Sequence, residues 1–265
     1  MVELITFLIL LVIGVIIGTL SSLIGIGGGS LIVPTLILLG FSAQNAIGTS
    51  LVAVFAISIS SSYVYIKQNQ ISIHLGILTA FVTIPGALIG AFVTGYLSSN
   101  TLELFFGIFL LLIAIRMISK IISRNKLSYT DNVSLKGNSI NILKKNFLLV
   151  IPILFGSGII AGLFGVGGGI IVVPVFVLML GLTMHNAVAT SLFIMVFTAF
   201  TGLIAHAALG NIIIDYTIPL IIGVILGSQI GSRLIVKIRG ITLGLIFAIM
   251  MLIVSGYIII NSGII

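Results

Sequence analysis

Gly25-Ile26-Gly27-Gly28-Gly29-Ser30-Leu31-Ile32-Val33-Pro34 is written a second time, 140 positions later, as Gly165-Val166-Gly167-Gly168-Gly169-Ile170-Ile171-Val172-Val173-Pro174. Three successive glycines each weaken a helix by about 1 kcal/mol relative to alanine. Both stretches therefore predict a break inside an apolar segment. Long apolar runs, 4–24 and 147–164, lead into them. Short ones, 31–39 and 170–180, follow and are closed by Gly40 and Gly181. A helix needs roughly 20 apolar residues to cross a bilayer, so neither short piece crosses alone.

Composition decides the solvent. Of 265 residues, 60% are hydrophobic and 6% charged, against about 25% charged in a soluble domain. Such a chain cannot cover a water-facing surface, and the lipid bilayer is its solvent. Its apolar runs are continuous rather than alternating, which predicts helices and not a barrel. The absence of cysteine removes disulfides, thiolate metal sites and cysteine nucleophiles together. The net charge of +7 does not point to nucleic acid, because seven of the eleven Lys and Arg fall between Arg116 and Lys145. Clustered cations beside spans are a topology signal. Met1-Val2-Glu3 has no basic n-region, so the first apolar run reads as a retained span and not as a cleaved signal.

Further spans are expected over 45–66, 71–97, from near Glu103 to 122, and over 187–209, 212–236 and 241–260. Asn45-Ala46-Ile47-Gly48-Thr49-Ser50-Leu51 recurs as Asn186-Ala187-Val188-Ala189-Thr190-Ser191-Leu192 at an offset of 141, and Gly86 and Gly90 fall on Gly227 and Gly231 at the same offset. The expected fold is all-α: a polytopic helical membrane protein of two inverted repeats with about 8–10 membrane segments, two of them short broken or re-entrant helices. Residues 1–122 form the first repeat, 123–146 a cytoplasmic basic linker and 147–265 the second repeat. The positive-inside rule puts Lys67, the Arg116–Lys145 cluster, Arg233, Lys237 and Arg239 in the cytoplasm, and both termini outside it. The expected location is the plasma membrane, spanned many times.

Each glycine cluster opens a short helix, whose free N–H groups and positive dipole end favour an anion. Glycine also lets an oxyanion approach the backbone. Inversion would bring the two helix starts toward one point. This makes Gly27, Gly28, Gly29 and Ser30, with Gly167, Gly168 and Gly169, candidate substrate-binding residues; tight helix packing is the alternative. Asn45, Thr49 and Ser50, with Asn186, Thr190 and Ser191, add uncharged donors suited to a weakly hydrated oxyanion, or else hydrogen-bond one helix to the next. The pairs Gly14/Gly18, Gly86/Gly90, Gly158/Gly162 and Gly227/Gly231 read as packing faces, and alanine at Gly14 is expected to be mild. His206, the repeat partner of Tyr65, is a candidate proton-coupling residue or an interfacial histidine. No catalytic constellation, metal-ligand set or cofactor motif is found, so the chain does not read as an enzyme.

The doubled Gly-x-Gly-Gly-Gly-x-x-x-x-Pro followed by Asn-Ala-x-x-Thr-Ser resembles the TauE/SafE family, the sulfite exporter or four-toluene-sulfonate-uptake permeases. That resemblance covers nearly the whole chain apart from the linker. It implies transport of a small anion, such as sulfite or an organosulfonate. With no ATP-binding motif, such a transporter would couple to a proton, another cation or the substrate gradient. An uncoupled anion channel using the same glycine site is the alternative.

Overall fold

The computed structural model describes residues 4–124 and 147–235, with isolated helical positions between 245 and 260. The linker from 125 onward and most of the expected last span lie outside the described residues. The described chain is helical: α1 (Leu4–Ile24), α2 (Gly29–Leu38), α3 (Ala43–Lys67), α4 (Ile73–Thr94), α5 (Ser99–Arg124), α6 (Phe147–Phe164), α7 (Gly169–Leu178), α8 (Met184–Ala208) and α9 (Ile214–Leu234). Five of these, α1, α3, α4, α8 and α9, are long and apolar enough to cross a membrane.

The start of each central helix follows from local chemistry repeated in both halves. Ser42 Oγ accepts the Asn45 amide at 3.4 Å to cap α3, and Thr183 Oγ1 accepts the Asn186 amide at 3.3 Å to cap α8. Such a cap is worth about 1 kcal/mol.

Hydrogen bonds fix the helix directions. Thr49 of α3 meets Ile213 ahead of α9, Ser60 meets Ser228, and Gln68 after α3 meets Ser232, so α3 and α9 run the same way. By the same argument α8 runs with α4, since Thr190 meets Ser72 and Gly76 abuts Phe193. α3 and α4 are joined by a short turn and run oppositely. The two halves interlock across these pairs: α1 of the first half packs along α9 of the second, and α6 of the second packs along α4 of the first.

Those two cross-half seams are built from small residues. A Cβ on Gly223 or Gly227 would strike the Leu11 or Val15 carbonyl, and one on Gly158 or Gly162 would strike the Thr83 or Ala87 carbonyl. In lipid, where apolar burial gives helices no reason to associate, backbones this close gain dispersion contacts instead. Gly14 belongs to this seam. A Cβ there would lie 2.9 Å from the Leu220 carbonyl and 3.1 Å from Gly223 Cα, both backbone atoms. The expectation that alanine would be mild at Gly14 is corrected by this contact.

α1 runs with α9, as the successive pairs Leu11–Gly223, Val15–Gly227 and Thr19–Gly231 show. The chain then turns at the glycines, and α2 heads back to the face from which α3 starts. Ten residues span about 15 Å, so α2 and α7 are half-length helices, whereas α1 and α6 run nearly the full length of their partners: Thr19 lies against Gly231, and the Thr94 hydroxyl at the end of α4 donates to the Leu163 carbonyl. The two helix–break–helix hairpins start from opposite ends of the helix bundle.

Candidate functional site

The tip of the first hairpin is made by glycine because no other residue adopts its backbone at low cost. Gly28 sits at φ 86° and ψ −17°, and its counterpart Gly168 at φ 82° and ψ −11°. This left-handed conformation costs other L-residues roughly 1–2 kcal/mol. It turns the chain so that the Gly28 carbonyl receives the Leu31 and Ile32 amides at 2.9 Å, and the Gly168 carbonyl receives those of Ile171 and Val172 at 3.1 Å. The amides of Gly29 and Ser30, and of Gly169 and Ile170, precede the first helical bonds. They form the positive ends of α2 and α7.

The two tips touch. A Cβ on Gly29 would overlap the Gly165 carbonyl, and a Cβ on Gly169 would overlap the Gly25 carbonyl. Each tip is also held by the long central helix of the other half. Ser50 Oγ of α3 donates to the Gly165 carbonyl at 3.0 Å, and Ser191 Oγ of α8 donates to the Gly25 carbonyl at 2.8 Å. Val54 and Met195, near the middle of α3 and α8, pack against both Gly27 and Gly167. The junction therefore lies about halfway along these two helices.

The sequence-selected residues divide by position. Gly27, Gly28, Gly29, Ser30, Ser50, Gly167, Gly168, Gly169 and Ser191 gather at the junction, all buried. Thr49 and Thr190 are buried beside it and face outward to the other half: Thr49 Oγ1 accepts the Ile213 amide and Thr190 Oγ1 accepts the Ser72 amide, both at 3.1 Å. Asn45 and Asn186 occupy the first turns of α3 and α8, which run oppositely. The structure does not bring these two together; Asn45 lies nine residues before Val54, about 13 Å along the helix.

A narrow crevice borders the second tip. Its lining includes Gly167, Gly168, Thr83, Ser157, Thr198 and Ser191, and it has no room for a water-sized sphere in this state. The Ser157 hydroxyl donates to the Leu154 carbonyl at 2.6 Å and that of Thr83 to the Ala80 carbonyl at 3.2 Å. Doubling in the sequence does not reveal these hydroxyls, because the first repeat has Ile17 and Ile57 where the second has Ser157 and Thr198. Ile17 and Ile57 pack at the first tip, 3.3 and 2.8 Å from where a Gly28 Cβ would stand.

His206 is fully buried near the end of α8. Its Nε2 lies 3.1 Å from the Gly162 carbonyl and must carry the proton to donate there; Nδ1 then accepts from Asn211 Nδ2 at 3.2 Å. Both ring nitrogens are satisfied in this neutral tautomer. Among the described residues no three His, Asp or Glu cluster in a way that would hold a metal ion.

The sulfite exporter TauE/SafE family model matches residues 10–258. The chain is 33% identical over 262 residues to the probable membrane transporter protein YunE of Bacillus subtilis, covering 94% of this chain and 96% of that protein. It is 32% identical over 205 residues to a probable membrane transporter protein of Methanocaldococcus jannaschii, covering 75% of this chain and 71% of that one. No solved structure matches it.

Proposed function

The chain belongs to the sulfite exporter TauE/SafE family of membrane transporters, and from that premise we propose that it is a secondary transporter binding a small anion, sulfite or an organosulfonate, between the two glycine tips. The observation that carries this reading is the meeting of two positive helix ends about halfway along the central helices, where Gly29 abuts Gly165 and Gly169 abuts Gly25. Paired broken segments at a repeat interface are how such folds expose backbone donors without exposing them to lipid. Uncharged hydroxyls and amides hold a weakly hydrated oxyanion without the permanent neutralisation that a buried lysine would impose. Candidate ligands on the protein are the N–H groups at Gly27–Ser30 and Gly167–Gly169; Ser50 and Ser191, whose hydroxyls donate to the Gly165 and Gly25 carbonyls, hold the tips in place and would have to turn to reach the anion. Asn45, Thr49, Asn186 and Thr190 stand on the helices that carry Ser50 and Ser191, with Thr49 and Thr190 accepting amides of the other half.

In this proposal residues 1–122 and 147–265 are the two repeats, and the basic segment 123–146 joins them in the cytoplasm. Lys67 and Arg233 end α3 and the parallel α9 on one face, which the positive-inside rule makes cytoplasmic. Both termini then lie outside the plasma membrane. The driving energy is an ion or substrate gradient, with His206, bonded to the helix that leads into the second tip, as the candidate proton-coupling residue.

The test is a binding screen of the purified protein against sulfite, sulfate, thiosulfate, taurine and sulfoacetate, followed by flux in proteoliposomes. Saturable binding of a sulfur oxyanion, with flux that responds to an imposed pH or cation gradient, supports the carrier. Non-saturating flux indifferent to every gradient but the anion's own supports a channel at the same site.

A further inference from the structure

The two halves differ in a further respect that their shared motifs conceal. Ser58, Ser61 and Ser62 of α3 and Ser21 of α1 are buried, with exposures of 0, 0, 5 and 2%, and their hydroxyls have no hydrogen-bond partner in the protein. Gln68 Oε1, at the end of α3, is buried and unpartnered as well. At the corresponding positions of the second half stand Ala199, Gly202, Leu203, Ala161 and Leu209.

The serine hydroxyls form one track; Gln68, whose Nε2 donates to the Ser232 carbonyl of α9, lies beyond it. At 3.6 residues per turn, Ser58, Ser61 and Ser62 lie within about 60° of Tyr65 around the helix axis. Tyr65 donates to the Ser22 carbonyl of α1 at 2.7 Å. About two turns before Tyr65, Ile57 comes to 2.8 Å from the Gly28 Cβ position, as does Ser21, the residue before Ser22. The serine face of α3 is thus bracketed against the end of α1 from the first glycine tip to Tyr65. Ser60, on the other side of α3, is bonded to Ser228 and Gln229, so the unpaired hydroxyls are confined to the face toward α1.

A buried hydroxyl without a partner is destabilising, and native proteins keep few of them. Unpaired donors at membrane depth are tolerated where they line a cavity that water or substrate enters. Neutral hydroxyls suit passage because they bind an oxyanion well enough to admit it and weakly enough to release it. We infer that Ser21, Ser58, Ser61 and Ser62 line a passage for the anionic substrate from the first glycine tip to the membrane face bearing Lys67, closed in this conformation and absent from the second half. This rests on the transport reading above.

Because the chain has no cysteine, single cysteines report cleanly. In Ser58→Cys, Ser61→Cys and Ser62→Cys, a membrane-impermeant methanethiosulfonate reagent added from the Lys67 side should react at least tenfold faster than in Ala199→Cys and Leu203→Cys, and sulfoacetate should slow that reaction at least threefold. Equal or slower labelling at the serine positions overturns the passage; fast labelling without protection, in a protein that binds sulfoacetate, makes it a water vestibule and overturns the substrate role. Failure of the unmodified protein to bind any oxyanion removes the transport reading instead, before any cysteine is introduced. A second variant guards against misfolding: combined Ser58→Ala, Ser61→Ala and Ser62→Ala should leave the thermal midpoint unchanged or raised while uptake falls at least tenfold. A lower midpoint with normal uptake would make the serines structural.

Discussion

His206 Nε2 donates to the Gly162 carbonyl at 3.1 Å, and this bond is the repeat image of Tyr65 Oη donating to the Ser22 carbonyl at 2.7 Å. Positions 65 and 206 differ by 141 and positions 22 and 162 by 140. Two chemically different side chains therefore make the same tie, from the last turns of a central helix to the helix leading into its own half's glycine tip. His206→Phe should lower stability by about 1–3 kcal/mol, because it leaves a buried carbonyl unpaired. His206→Tyr, which copies the first half, should lose less. The check is the thermal midpoint of both, read together with uptake driven by a pH gradient. Loss of gradient-driven uptake in His206→Tyr, with exchange intact, would assign the imidazole a proton.

Thr49 and Thr190 each accept an amide from the segment that begins a helix of the other half. Thr49→Val and Thr190→Val keep the shape and remove that acceptor. Each is expected to lower stability by about 1–3 kcal/mol. Denaturation in detergent measures this. A weakened anion affinity at unchanged stability would show that the hydroxyls serve substrate in place of the helix starts.

Gly158→Ala drives a methyl group into the Thr83 backbone of α4, whereas a Cβ at Gly156 meets nothing within 4 Å. Overpacking of this kind costs about 1–3 kcal/mol. The first variant should therefore reduce the yield of folded protein and Gly156→Ala should not, as gel filtration would show. Gly14→Ala belongs with the first.

Asn69, between α3 and α4, and Ser98, between α4 and α5, are exposed at opposite ends of α4. Asn69→Cys and Ser98→Cys should label from opposite sides of the membrane, with Asn69 facing the cytoplasm. Labelling of both from one side would break the topology.

Much of this fold was legible because its main devices are written twice. The glycine tips, the Ser42 and Thr183 caps and the small-residue seams all follow from residue types that admit few other uses. The sequence predicts two short pieces after the glycines, and the structure gives them as the ten-residue helices α2 and α7, with α1 running parallel to α9. Asymmetric features escaped the reading for a physical reason. Doubling marks Ser50 and Ser191 but not Ser157, Thr198, Ser58, Ser61 and Ser62, whose counterparts in the other half carry no polar side chain. Thr49 and Asn45 share a helix face, yet only contacts with the other half show that Thr49 meets a helix start and that Asn45 lies far from the junction.

The central claim is that the anion is held at the two glycine tips. Binding of labelled sulfite or sulfoacetate to purified Gly28→Ala and Gly168→Ala tests it most directly, with folding checked by gel filtration. A methyl group at Gly168 would stand 3.2 Å from the Ser157 carbonyl, on the crevice, and one at Gly28 would meet Ser21 and Ile57 at 2.8 Å. The account predicts that, in the fraction eluting as folded protein, each variant loses at least tenfold in affinity, about 1.4 kcal/mol. Two folded variants that bind the anion as tightly as the unaltered chain would contradict it.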